Sequence, residues 1–188
     1  MNFSMIRYTV GLVIIFEGIF LSLPGFVGLI YQEEQGKPFL VIMLLCFMIG
    51  FAAVRRKPEK TFFYAKEGFI TVAASWIALS FFGALPFVLN GDIPFLPDAL
   101  FETVSGFTTT GASILPDVEA LAKCSLFWRS FTHWIGGMGV IVFILAILPL
   151  TGGQNLHLMR AESPGPSVGK LVPKLKKTSM IYMGFIVY

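Results

Sequence analysis

The residues of this 188-residue chain best placed to do chemistry lie between Asp98 and Leu115, which read DALFETVSGFTTTGASIL. Asp98 can cap a short helix, and Ala99 to Gly106 can run through two turns. Phe107-Thr108-Thr109-Thr110-Gly111-Ala112-Ser113 follows, and three β-branched residues before a glycine are poor helix material. Pro94 and Pro97 stop a helix from running in from upstream, and Pro116 closes the segment. A half-helix followed by extended backbone is tolerated at membrane depth only where it lines a water-filled cavity or is buried in protein. Inward-turned peptide carbonyls of such a segment can replace the hydration shell of a cation. Gly111 suits this purpose because glycine takes the left-handed backbone that turns successive carbonyls to one side. The partially negative C-terminal end of the half-helix also favours a cation at its tip. The expected chemistry is therefore ion coordination by main chain, with no bond made or broken. From spacing alone, a polar turn covering a helix bundle stays open as an alternative.

The elements that would hold such a segment are membrane helices. Hydrophobic residues make up 55% of the chain and charged ones 13%, with a mean hydropathy of +0.77. A soluble domain carries about 25% charge. An all-α integral membrane fold follows. The first span is expected over Met5 to Ile30, retained rather than cleaved, and long enough to tilt or to kink at Pro24. A polar loop, Tyr31 to Pro38, precedes a second span over Phe39 to Val54. A basic turn from Arg55 to Lys60 leads to a third span, Gly68 to Leu89, with Pro86 in its last turn. A fourth span, Leu126 to Leu150, contains Gly136-Gly137-Met138-Gly139. Thr151 to Lys177 is a polar connector, and Ser179 to Tyr188 begins a fifth apolar run. Three segments result: residues 1–66, a two-helix segment with a basic loop; 67–150, a span, half-helix and span with the critical stretch at 108–113; and 151–188, a connector with the start of a further span.

Charge placement sets an expected orientation. With the N-terminus cytoplasmic, Arg7, Arg55, Arg56, Lys57, Lys60, Lys66, Arg160, Lys170, Lys174, Lys176 and Lys177 lie inside, and only Lys37, Lys123 and Arg129 lie outside. The half-helix then faces the outer side, with Trp128 and Trp134 at an interfacial or pore-mouth position. The net charge of +3 comes from short loops between apolar runs and is no nucleic-acid footprint. Cys46 and Cys124 are too isolated for a disulfide framework or a metal site.

The chain resembles one membrane–pore–membrane unit of the Trk/Ktr/HKT potassium transporter superfamily, and most closely a bacterial Trk-type membrane subunit. The resemblance is carried by Glu67-Gly68-Phe69, Ser75-Trp76 and Phe82 to Phe87, then by Phe101-Glu102 and Ser105 to Ser113. It continues in Trp128-Arg129-Ser130, Trp134 to Gly139, Arg160 to Pro166 and Lys170-Leu171. It implies that the carbonyls of Thr109, Thr110, Gly111 and Ala112 coordinate potassium as the transported ion, with Thr108, Ser113, Glu102 and Arg129 as support and no other metal or cofactor. It implies a bacterial inner-membrane protein, homodimeric at full length and gated by a cytosolic nucleotide-binding subunit. Family members carry four such units in one chain, so a single complete unit leads us to expect the N-terminal portion of a longer protein.

Other residues have two readings each. Glu102 either braces the critical stretch through backbone or hydroxyl donors or reaches outer solvent. Arg129 and His133, four residues apart, share a helix face. Arg129 has Asp117, Glu119 and Glu102 as possible partners, and His133 is expected to be a hydrogen-bonded packing residue. Glu17, near the middle of the first span, is expected to be a protonated or hydrogen-bonded bundle residue. The glycines of the fourth span serve close packing or bending. A membrane-embedded enzyme would need Ser105 or Ser113 to converge with His133 and Glu102, and no H-E-x-x-H, G-x-S-x-G or paired-Asp motif supports one. A non-conducting bundle or assembly module is the remaining alternative.

Overall fold

The computed structural model describes residues 2–58 and 65–151, and these form five helices with no strand among them. They are α1 (Phe3–Tyr31), α2 (Gly36–Val54), α3 (Ala65–Asn90), α4 (Leu96–Phe107) and α5 (Lys123–Thr151). Phe3–Tyr31, Gly36–Val54 and Glu67–Asn90 are long and apolar enough to cross a membrane. The all-α membrane class expected from composition is the class observed. The expected connector and fifth apolar run lie outside the described residues.

The helix limits differ from the expected ones for local reasons. The second helix starts at Gly36 rather than Phe39, so Pro38 sits in its first turn. There a missing N–H costs nothing, because first-turn amides have no helical acceptor. Helix α1 continues through Pro24 and ends at Tyr31, where Gln32 takes a left-handed conformation (φ 56°) and its N–H reaches the carbonyls of Gly28 and Leu29. Helix α5 begins at Lys123 and is broken at Gly139, whose φ of 70° and ψ of 150° are not helical.

Helices α1 and α2 form an antiparallel hairpin built on small residues. Gly11, Gly18 and Gly25 recur every seven positions, and a Cβ at each would press on Ala53, Cys46 and Leu40 respectively. This close approach gives van der Waals contact between helices that lipid would solvate equally well apart.

Hydrogen bonds define the two ends of the bundle. At one end Arg7 Nη2 donates to the Arg56 carbonyl at 3.1 Å, and the Asn2 amide donates to Glu67 Oε1 at 2.5 Å. Arg55, Arg56 and Lys57 belong to this end. At the other, Glu33 accepts from the amides of Lys123 (2.9 Å) and Cys124 (3.0 Å), and Asn90 Nδ2 donates to Ser125 Oγ at 3.2 Å. Glu33 thus caps α5 from a turn 90 residues upstream. Partial burial works against its charge, but the two amides and Lys123 together hold its carboxyl below the ordinary value. A depressed folded value means stabilisation present above the unfolded pKa and lost as pH falls through the folded one. Glu33→Ala is expected to cost about 1 kcal/mol at neutral pH, the usual loss of a cap. The difference from wild type should shrink on acidification below the carboxylate range; a thermal unfolding series against pH measures both.

Trp128 is not at an interfacial position. It is wholly enclosed, donates from Nε1 to the Gly83 carbonyl at 2.9 Å, and meets Phe39 and Phe107 edge-on. A buried indole N–H needs an acceptor, and the Gly83 carbonyl of α3 supplies it. Trp134 is half-buried and stacks on Phe131 with ring centres 5.1 Å apart.

Candidate functional site: the end of the half-helix

Helix α4 enters the bundle from the end that holds Glu33 and Asn90, and stops inside it. Its N-cap is Phe95, with extended backbone, rather than Asp98. Pro97 falls within the first turn, where its fixed φ suits the start of α4, while the helix upstream ends at Asn90. Asp98 lies in the same turn, a favourable place for a carboxylate against the helix dipole.

The helix ends at Phe107, at the edge of the threonine run. Thr109 takes the left-handed conformation (φ 56°), its amide donates to Gly106 O at 2.9 Å, and the Thr110 amide donates to Ser105 O at 2.9 Å. This pair of bonds is the Schellman pattern, which usually places glycine where Thr109 stands. Gly111 is left-handed as well (φ 76°). Alternation of handedness turns the chain sharply away from the helix axis. Residues 110–113 have no helical conformation.

The four carbonyls expected to act together are not equivalent in this structure. Ala112 O accepts from Ser105 Oγ at 2.6 Å. The carbonyls of Thr109, Thr110 and Gly111 accept no hydrogen bond among the described residues, and residues 108–114 are exposed. The threonine side chains are occupied locally. Thr108 Oγ1 donates to Val104 O (2.7 Å) and lies 2.8 Å from Thr110 Oγ1, while Thr109 Oγ1 donates to Thr108 O (2.7 Å).

Glu102 ties the returning strand to α5. It is 2% exposed and does not reach solvent. Its carboxylate accepts from Ser113 Oγ (3.0 and 3.1 Å), from the Ile114 amide (2.9 Å) and from Arg129 Nε (2.6 Å). Of the three carboxylates considered for Arg129, the pairing is therefore with Glu102. Charge-assisted bonds of this kind are short and about twice as strong as neutral ones.

The tip of α4 is seated by glycines. Phe107 is buried, its ring edge-on to Trp76 and Trp128. Gly136 of α5 lies so close to the Phe107 backbone that a Cβ there would collide with its carbonyl, and Gly106 lies equally close to Thr132. His133 Nδ1 is 2.9 Å from the Arg129 carbonyl, which requires the proton on Nδ1. Neither Ser105 nor Ser113 is bonded to His133. No group of His, Cys, Asp or Glu suited to a metal ion occurs among the described residues.

Two features of this site had no signal in the residue pattern: the cap at Thr109 and the Trp128–Gly83 bond. Close seating by Gly106 and Gly136 did have one, since both are glycines within otherwise helical sequence.

Residues 37–188 match the family model described as TrkH, cation transport protein. The chain is 40% identical over 183 residues to the Trk system potassium uptake protein TrkH of Salmonella typhimurium, covering 95% of this chain and 38% of that protein. It is 36% identical over 185 residues to the Trk system potassium uptake protein TrkG of Escherichia coli strain K12, with the same coverage. The crystal structure of the potassium transporter TrkH from Vibrio parahaemolyticus superposes on all of this chain and 37% of that one, with a TM-score of 0.75 and 29% identity. The chain thus spans well under half the length of these relatives. On the family match and the identities together, the chain belongs to the TrkH family of cation transport proteins.

Proposed function

We propose that this chain contributes one quarter of a potassium-selective pore in a Trk-type uptake system, with the carbonyls of Thr109, Thr110, Gly111 and Ala112 as its share of the filter. The observation that carries this reading is a non-helical strand with three unengaged carbonyls, pinned at its far end by Glu102. The relatives named for potassium uptake support potassium as the ion. Selection would come from peptide oxygens replacing water around the ion, so no catalytic group is needed. Reading the Ser105, Ser113, His133 and Glu102 set as a hydrolytic site is disfavoured because neither serine is bonded to His133: Ser105 donates to the Ala112 carbonyl, Ser113 to Glu102, and His133 to the Arg129 carbonyl.

The remaining assignments follow from family likeness and charge. The filter faces outward and the Arg7, Arg55, Arg56 end faces the cytoplasm of a bacterial inner membrane. The full-length protein is a homodimer, controlled by a cytosolic nucleotide-binding subunit.

Gly111→Ser tests the reading. A Cβ at Gly111 meets nothing within 4 Å, so the cost is confined to the left-handed backbone. Forcing an L-residue there costs about 1–2 kcal/mol. Spread over the coordinating carbonyls, this should lower potassium/sodium discrimination by roughly tenfold, the equivalent of about 1.4 kcal/mol. Thr110→Ser retains the carbonyl and should change discrimination far less. Paired flux measurements on the full-length protein in vesicles decide it; unaltered discrimination in Gly111→Ser at normal expression would falsify the filter assignment.

A further inference from the structure

Glu17 of α1 is 1% exposed, and neither carboxylate oxygen has a hydrogen-bond partner among the described residues. It borders a cavity whose other walls are Val13, Phe16, Phe20, Leu79, Phe107 and Ile135, all apolar. Phe107 is the last residue of the half-helix, so the cavity lies directly behind the seat of the critical strand. Gly83 of α3 is near enough that a Cβ on it would stand 3.3 Å from Glu17 Oε1.

The groups facing Glu17 offer no compensation for a negative charge. On α2 the ionisable neighbour is Cys46, itself buried. Helix α3 presents Leu79 and Gly83. On α4 the carboxylate is Glu102, already engaged by Arg129, Ser113 and Ile114; on α5, Arg129 is held by Glu102, and His133 by the Arg129 carbonyl. An ionised carboxylate with no donor or cation beside it in an apolar surround is far costlier than the neutral acid. Ionisation would draw water into the cavity, against the Phe107 ring.

We propose that Glu17 is a proton-binding site behind the half-helix: the carboxyl carries a proton when Phe107 is seated, and release of that proton unseats the tip of α4. The ligand is a proton, taken by an isolated intramembrane acid. Closure of the cavity around Phe107 and occupancy by the proton are then one equilibrium, each favouring the other. The link to ion flux rests on the proposed pore, whereas the proton itself does not.

The test uses the full-length protein in lipid vesicles, wild type and Glu17→Gln, with two readouts. The amide replaces the neutral acid at nearly equal volume, so the variant is expected to fold. Infrared spectroscopy at neutral pH should show the carbonyl stretch of a neutral carboxylic acid in wild type, lost in Glu17→Gln and replaced by a carboxylate signal in wild type on strong alkalinisation. Rubidium influx should fall severalfold in wild type across the same alkaline transition and stay level in Glu17→Gln. Absence of the neutral-acid band would overturn the proton site whatever the flux. The band with identical pH dependence of influx in both proteins would overturn the coupling to Phe107. Absence of rubidium influx at every pH in both proteins would count against the pore and against the coupling drawn from it, with the infrared result still deciding the proton.

Discussion

Glu102→Ala is expected to abolish cation flux and to lower the stability of the protein by about 3–5 kcal/mol, the range for removing one partner of a buried ion pair. The size follows from what is left behind. Arg129, with its side chain 16% exposed, loses the carboxylate at 2.6 Å, and the Ile114 amide and Ser113 hydroxyl lose their common acceptor. Ser113 and Ile114 are exposed, so water can replace the acceptor they lose, and most of the cost falls on Arg129. The strand from Thr110 to Ser113 has no sheet or helix to hold it, so freeing its far end should release the carbonyls from any common arrangement. Glu102→Gln keeps an oxygen for Ile114 and gives up the charge, and should fall between the two. Thermal unfolding in detergent together with rubidium influx in vesicles measures both consequences. Retention of wild-type unfolding temperature and influx in Glu102→Ala would remove the bracing role.

Gly136→Ala should produce a comparable loss of flux with a smaller loss of stability, about 1–3 kcal/mol, as expected when a packed contact is overfilled. Its Cβ would be driven into the backbone of Phe107, which cannot rotate away as a side chain can. Either α5 or the tip of α4 must shift. Because Thr109 and Thr110 bond back to Gly106 and Ser105, a moved tip carries the whole turn with it. Flux should therefore suffer more than stability, a ratio opposite to that of an ordinary core substitution. Influx and unfolding measured on one preparation give that ratio; an active, destabilised Gly136→Ala would show that the seat tolerates displacement.

How much of this was legible in the sequence depended on the length scale of the signal. Apolar runs of spanning length give the membrane helices directly, since few other folds can use them. The end of α4 was legible because Thr108-Thr109-Thr110-Gly111 resists helix. The beginning of α4 was not. Pro97 reads as a helix stop or a helix start depending on whether the chain upstream is already helical, and only the tertiary course of 91–95 decides. Trp128 was misplaced for a similar reason: a tryptophan near a span end fits an interface or a core equally well until its N–H partner is known. The choice of Glu102 over Asp117 and Glu119 for Arg129 needed the fold, because sequence distance does not rank a contact across 27 residues against contacts across 12 or 10. Glu33 capping α5 across 90 residues belongs to the same class.

The most direct measurement is the position of a heavy monovalent cation in crystals of the full-length protein grown with rubidium or thallium in place of potassium. Anomalous density should lie on the pore axis within coordinating distance of the carbonyl oxygens of Thr109, Thr110 and Gly111. Density absent there, or held only by side chains while those oxygens point into lipid or protein, would contradict coordination by this strand.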